Sequence, residues 1–185
     1  MKRPEAEISV IRSGGELLKA WSEYGFEAPG GNQAWAEAVE TPNHDILIAH
    51  LGEIAVGFVD IKFSGPISRE PEFAEALRTA FPGDIPTPTL YMLNVHPYFR
   101  RLKIGRKLME SAEQRIINTK DAPARAALNV RTNNEPAVSL YKSMDYKTLQ
   151  YNGKKEVKID FPELNEAGEW IQSTDKVFFM TKDLS

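Results

Sequence analysis

Five cationic side chains, Arg100, Arg101, Lys103, Arg106 and Lys107, fall within eight residues, and Gly105 stands among them. An apolar stretch, "TLYMLNV", precedes them, and an amphipathic one, "GRKLMESAEQRIINT", overlaps their end. The cluster therefore occupies the turn from a strand into a helix. The first turn of a helix carries N–H groups without intrahelical partners and a partial positive charge. A glycine there lets the backbone approach an oxyanion closely, and nearby cations deepen the field. The chemistry such a turn suits is the holding of a phosphate or a diphosphate. It is not the phosphate loop of nucleotide hydrolases, because no GxxxxGK[ST] occurs, nor is there a GxGxxG. A solvated basic helix start explains the charges equally well from charge alone.

Other chemistries are bounded by composition. Across its 185 residues the chain has a net charge of −3, so bulk attraction does not bring it to nucleic acid or to an anionic membrane. The basic cluster also lacks the interleaved aromatic residues of a nucleic-acid groove. There is no cysteine, which removes disulfides, thiolate metal sites and a cysteine nucleophile. His44, His50 and His96 show no ligand spacing, and no metal is expected. The start, "MKRPEAEISV", has no apolar core of a leader, and no apolar run approaches the ~20 residues of a membrane span. A cytoplasmic protein with no membrane partner is expected.

The surrounding elements follow from periodicity. "ISVIR" alternates as a half-buried strand does, and helical patterns follow in "GELLKAWSEYG" and "NQAWAEAVE". Residues 46–50 and 54–63 read as a hairpin around "LGE". Residues 64–89 hold Pro66, Pro71, Pro82, Pro86 and Pro88 around "EPEFAEALRTAF", an insertion with its own helix. Residues 89–95 form a buried strand. The helix after the basic turn is apolar along Leu108, Met109, Ala112, Ile116 and Ile117. Residues 124–132 are a strand, "NEPAVSLYKSM" is a short helix with Pro136 in its first turn, and "YKTLQY" and "KVFFMTKDL" are final strands. The polar residues 152–175 form a second insertion with room for a hairpin arm. This is an α/β (α+β) chain with a mixed, largely antiparallel sheet, read as one domain over residues 1–185 with insertions at 64–89 and 152–175.

The order "LYMLNVHPYFRRLKIGRKLMESAEQ", then "LNVRTNNEPAVSLYKSMDY", resembles the GNAT superfamily of acyl-CoA-dependent N-acetyltransferases. The superfamily pattern V-x-P-x-x-[QR]-x-x-G-x-[GA] is met by Val95, Pro97, Arg100 and Gly105, with Ile104 in a commonly aliphatic place. The pattern N-x-x-A-x-x-L-Y-x-x-x-G-[FY] is met by Asn134, Ala137, Leu140, Tyr141 and Tyr146. Two departures stand out. Lys103 replaces the first glycine of the phosphate loop, and Asp145 replaces the glycine after the last helix.

The resemblance implies a twisted sheet flanked by helices, with the fourth and fifth strands splayed. The pantetheine arm of acetyl-CoA would enter the gap along Met92, Leu93, Asn94 and Val95. The diphosphate would meet Arg100, Arg101, Leu102, Lys103, Ile104, Gly105 and Arg106. Asn134 would touch the cofactor arm or cap its helix. Backbone N–H groups around residues 93–95 would polarise the thioester carbonyl. Tyr141 would give a proton to the departing thiolate. Relatives often have a carboxylate on the fourth strand; Tyr91 and Met92 stand there instead. That leaves Asp60, His96, or water held by Asn94 as the base. The implied function is transfer of acetyl from acetyl-CoA to a primary amine of a small molecule or peptide by direct attack. Acetyl-CoA and the acceptor are the partners, and a homodimer is compatible. A non-catalytic acyl-CoA sensor is the alternative that Lys103 and the missing strand acid would favour.

The two insertions sum to −5, against +5 for residues 100–107. If both flank the acceptor mouth, a cationic amine would be drawn to it.

Overall fold

The computed structural model describes residues 6–11, 13–25, 32–38, 40, 43–66, 70–83, 86–164 and 170–185. Parts of the expected elements and insertions, residues 12, 39, 67–69, 84–85 and 165–169, lie outside the described residues.

The chain begins with strand β1 (Glu7–Ile11), then helices α1 (Gly14–Tyr24) and α2 (Asn32–Ala38). Ser13 caps α1 by accepting from the Glu16 N–H at 3.3 Å, and Gly25 ends it at φ 67°. Strands β2 (His44–Leu51) and β3 (Ile54–Lys62) form the expected hairpin. The first insertion folds as helix α3 (Pro71–Ala80), with Pro71 at its start. Strand β4 (Thr89–Val95) leads through a 3-10 turn (Pro97–Phe99) into α4 (Ile104–Ile117). Strand β5 (Arg125–Arg131) and helix α5 (Glu135–Lys142) follow.

At the end of the chain one expected strand is shortened, while the second insertion does carry a hairpin arm. "YKTLQY" contributes only the two-residue β6 (Lys147–Thr148). The second insertion is β7 (Glu156–Leu164) paired with the first half of β8 (Trp170–Asp183). Val157 and Ile159 alternate with charges and pack inward, while charged side chains face out. That alternation is the strand signal inside a segment whose mean composition is polar.

The eight strands form one sheet in the order β1-β2-β3-β4-β5-β8-β6, with β7 also on β8. Every pairing is antiparallel except β4 with β5. Period-two alternation sends side chains to two faces. One face is covered by α4 and α5 over a continuous apolar cluster that includes Leu47, Val59, Leu90, Leu108, Met109, Ile116, Leu128 and Met180. On the other face α1 packs Leu17 and Trp21 on Ile46, Ile48 and Phe58. Further along that face α3 packs Phe73, Ala76 and Leu77 on Ala127, Val177 and Phe179.

Candidate active site

The parallel ladder between β4 and β5 has two register partners, Thr89 with Ala127 and Leu90 with Leu128, and there it stops. The two strands diverge beyond that point, so the sheet opens as the resemblance implies. On the other side of β4 the register slips: Phe58 faces Asn94, while Asp60 faces Tyr91. Three steps on β4 oppose two on β3, and Met92 takes φ 54°. This is a β-bulge, which bends a strand and re-aims its backbone. Gly57 permits the bend, since a Cβ there would lie 2.7 Å from the Asn94 carbonyl oxygen. Met92, Leu93, Asn94 and Val95 therefore line the open side of β4 and are only half-buried.

The mouth of the gap is the basic turn. Arg100 Nε donates to the Val95 carbonyl at 3.2 Å, folding the turn back on the strand end. Arg101 and Lys103 both adopt left-handed backbone, φ 67° and 63°. Lys103 is the N-cap of α4, with its side chain exposed and making no capping bond. The first helical bond is Lys107 N–H to the Lys103 carbonyl, so the N–H groups of Ile104, Gly105 and Arg106 precede the ladder. Leu102 is exposed, whereas Ile104 is buried in the large cluster. The substitution of Lys103 for glycine thus leaves the backbone shape of the loop intact.

Gly105 has a second reason to be glycine. A Cβ there would point at Leu140 Cδ2, Val95 Cγ2 and Leu93 Cδ2, at 3.5, 3.6 and 4.0 Å. Alanine fits, but any longer side chain would enter the space between β4 and α5. Besides Arg100, two more cations of the cluster have protein partners: Arg106 donates to Ser143 Oγ at 2.6 Å, and Lys107 to the Ala6 carbonyl at 3.5 Å.

Helix α5 brings the second motif. Asn134 is its N-cap, accepting from the Ala137 N–H at 3.4 Å, and its side chain is exposed. Tyr141 is buried among the large apolar cluster, its ring 5.9 Å from that of Tyr146. Burial pushes the Tyr141 phenol up to about 12. Tyr146 is pushed up too, by burial first and then by the charge of Glu113. Asp145 holds φ 67°, so it does stand where left-handed backbone is needed.

The opposite face holds residues that the sequence reading did not assemble. Adjacent strands contribute His44, Asp60, Tyr91 and Asn129 to this face: Asp60 is opposite Tyr91, His44 lies diagonally from Asp60, two residues before its partner Ile46, and Asn129 follows the last β4–β5 pair. His44 Nε2 is paired with Asp60 Oδ1, and Asp60 Oδ2 has no hydrogen-bond partner among the described residues. Tyr91 OH donates to Glu70 Oε2 at 2.6 Å, and Asn129 Nδ2 donates to Glu70 Oε1 at 2.9 Å. Glu70 immediately precedes α3 and is 6% exposed. The one signal in the sequence was Asn129, a carboxamide inside the apolar run "AALNV". Nothing local names Glu70 as its partner, 59 positions away.

Two of the expected bases have structural partners. Asp60 is fully buried against His44. His96 Nδ1 accepts from the Tyr98 N–H at 3.3 Å and so caps the 3-10 turn.

The described charges of the insertions are distributed unevenly. The first places Glu70 inside the fold. The second segregates its charges: Lys154, Lys155 and Lys158 join Lys176 around a recess of about 690 Å³ that shares no residue with the fork. Three of its acids have partners, with Lys176 at 3.4 Å from Glu156, Arg131 at 3.0 Å from Asp175, and the Thr174 hydroxyl donating to Asp160 at 2.6 Å. Net charge misleads here because pairing, rather than the sum, sets the local field.

A sheet opened at one parallel pair, with a bulge on β4 and a helix start at the mouth, is the arrangement that the resemblance implies. Residues 12–146 match the family model for the GNAT acetyltransferase family. The chain belongs to that family, and it is an N-acetyltransferase that uses acetyl-CoA as acyl donor.

The fold recurs in solved structures at low identity. The ribosomal-protein-S18-alanine N-acetyltransferase of Escherichia coli is similar at 16% identity and TM-score 0.62, over 98% of this chain and 95% of that one. Chaetomium thermophilum Naa20 with a bisubstrate analogue gives 20% and 0.62, over 96% and 86%. Arabidopsis thaliana NAA60 with acetyl-CoA gives 14% and 0.62, over 94% and 97%. No curated protein sequence matches the chain. Among the described residues no helix is long and apolar enough to cross a membrane.

Proposed function

We propose that acetyl-CoA lies with its pantetheine arm along Met92–Val95 in the gap and its diphosphate on the first turn of α4, and that an amine enters from the α1 and α3 side. The observation that carries this reading is the fork, a parallel ladder that ends after Leu90 beside a bulge at Met92. An extended arm completes such an edge as an added strand would. Arg100, Arg101 and Lys103 supply field at the mouth, and the N–H groups of Ile104, Gly105 and Arg106 meet phosphate oxygens. Asn134, with its oxygen used in capping, offers its Nδ2 to the arm.

The neutral amine attacks the thioester carbonyl directly, and the C–S bond breaks as the C–N bond forms. Tyr141 faces the leaving sulfur in this reading. Its phenol, at about 12, lies roughly 3.5 pK units above a thiol at ~8.5. Complete proton transfer to the thiolate would cost roughly 5 kcal/mol. Tyr141 therefore acts chiefly as a hydrogen-bond donor to the developing thiolate, which then takes its proton from the amine through that bond or from water.

The acceptor is a small amine or a peptide amine, and the similar proteins named above make a peptide amine the first to test. The cytoplasm, where an acyl-CoA donor is at hand, is the setting of this reading. It needs neither nucleic acid nor membrane, and it works equally for one chain or a homodimer. The test is a panel of amines and peptides with acetyl-CoA, read as free thiol release. Thiol release that depends on the amine supports the reading. Tight acetyl-CoA binding without turnover across the panel would instead favour an acyl-CoA sensor.

A further inference from the structure

We propose that Glu70, carried by the inserted segment before α3, is the carboxylate that takes the proton of the acceptor ammonium. This rests on the acetyl-transfer reading above and adds a group that no strand of the sheet supplies.

Its place in the fork makes the case. The last register pair of β4 and β5 is Leu90 with Leu128. The next residue on each strand is Tyr91 and Asn129, and both side chains turn to the face away from α4. Both donate to the one carboxylate, at 2.6 and 2.9 Å. Glu70 thus spans the two strands where they part, and Met92, the bulge residue on the expected path of the acyl arm, directly follows Tyr91. A charge at this point lies across the base of the gap, on the side from which the amine arrives.

The support is rigid. Pro71 fixes the backbone after Glu70, and Phe73, Ala76 and Leu77 are buried against β5 and β8, with Phe73 stacked on Phe179 at 4.6 Å. A catalytic group held on a packed helix keeps its geometry. Its two carboxylate oxygens are held by one donor from each of the diverging strands, which fixes the group across the fork. The other carboxylate on this face, Asp60, is fully buried on β3, one strand away from the gap between β4 and β5. Strand β4 itself, "TLYMLNV", has no acid.

The protons balance as follows. The ammonium gives one proton to Glu70, and the neutral amine attacks the carbonyl carbon. The C–S bond breaks, and the nitrogen loses its second proton to the departing thiolate, directly or through the Tyr141 hydrogen bond. Glu70 then returns its proton to water. The net change is acetyl-CoA and an ammonium to an amide, a free thiol and one proton.

The experiment uses the full chain with Glu70→Gln, a peptide with a free α-amino group, and Asp60→Asn beside it. Acetyl-CoA affinity is read by calorimetry, and kcat and KM by thiol release from about pH 5.5 to 9.5. Glu70→Gln should keep acetyl-CoA affinity within about twofold. Its kcat should fall about a hundredfold or more, the usual loss for a general base, and the rising acid limb of the pH profile should vanish. Asp60→Asn should keep that limb. Tyr91→Phe removes one donor from Glu70 and should retain turnover with the limb displaced to higher pH, because the charged carboxylate loses a hydrogen bond. Two results would overturn the proposal: kcat of Glu70→Gln within about threefold of the unaltered enzyme, or a fall matched by lost acetyl-CoA affinity with the limb intact. The second would make Glu70 a strut for the fork. If the unaltered chain binds acetyl-CoA yet releases no thiol at any pH, the failure lies with the acetyl-transfer reading, and the proposal falls with it.

Discussion

The two faces of the sheet are built on different rules. Under α4 and α5 one apolar cluster runs from β2 to β8, with ion pairs at its rim, Arg115 to Asp45 at 2.6 Å and Lys182 to Glu113 at 2.7 Å. Under α1 and α3 the apolar packing is split into two clusters, and the polar set His44, Asp60, Tyr91, Asn129 and Glu70 lies on the same face. A continuous core fixes a shape, which suits a face that must present the start of α4 to a fixed set of phosphates. A buried polar set costs desolvation, and a chain that retains one has a use for it or for the specificity it brings. In the function proposed above, the first face binds the donor and the second carries the acceptor chemistry, with the fork as the place where the two meet.

Truncating each face tests that division. Leu108→Ala, fully buried on α4, should lower stability by about 3 kcal/mol and weaken acetyl-CoA binding, because it loosens the helix that carries Gly105. Leu77→Ala on α3 should cost about 2 kcal/mol, leave acetyl-CoA affinity nearly unchanged, and reduce turnover by unseating Glu70. Denaturant melts with calorimetry separate the outcomes. Equal losses of acetyl-CoA affinity in both variants would break the comparison.

A smaller effect is expected where the faces meet. Tyr141→Phe keeps the ring and removes one oxygen, so stability and acetyl-CoA affinity should hardly move. A hydrogen bond to a charged atom is worth about 1.5–3 kcal/mol, and kcat should fall by roughly ten- to a hundredfold while KM stays level. The phenol, raised to about 12, stays neutral until that pH. In the unfolded chain it ionises near the ordinary ~10. Stability should therefore hold below pH 10 and decline as pH rises toward 12, less steeply in Tyr141→Phe. A falling limb of kcat centred near pH 10 that disappears in Tyr141→Phe would show an unburied phenol and contradict the burial.

The smallest effect sits at the mouth. Lys103 occupies left-handed backbone at φ 63°, which costs a non-glycine residue about 1–2 kcal/mol. Glycine relieves that strain but frees the unfolded chain, so Lys103→Gly should raise stability by at most about 1 kcal/mol. Its loss of a mouth cation should weaken acetyl-CoA binding slightly at low salt and not at high salt.

Local sequence carried the donor side. The turn from β4 into α4, the cap of α5 and the place of Tyr141 each sit within a short window, so motif and periodicity reach them. Lys103 and Asp145 show how a motif can survive in backbone shape after its glycine is gone. The acceptor side is assembled from distant segments: Glu70 to Tyr91 spans 21 positions and Glu70 to Asn129 spans 59. Residues 64–89 read as an insertion with a helix, but periodicity says which face of that helix is apolar and nothing of which carboxylate precedes it into the sheet. Residues 152–175 gave way to averaging: a net of six acids against three bases hid a lysine-lined recess.

The most direct test of the account is an acetyl-CoA titration of the unaltered chain and of Gly105→Glu, followed by calorimetry and thermal melting. The Cβ of residue 105 points between Leu93, Val95 and Leu140, so glutamate there would push a carboxylate into the gap and beside the phosphate turn. Saturable binding and a raised melting temperature in the unaltered chain, both lost in a Gly105→Glu protein that still folds, are the predicted result. Identical isotherms for the two proteins, or no binding to the unaltered chain at millimolar acetyl-CoA, would contradict a cofactor seated in the fork.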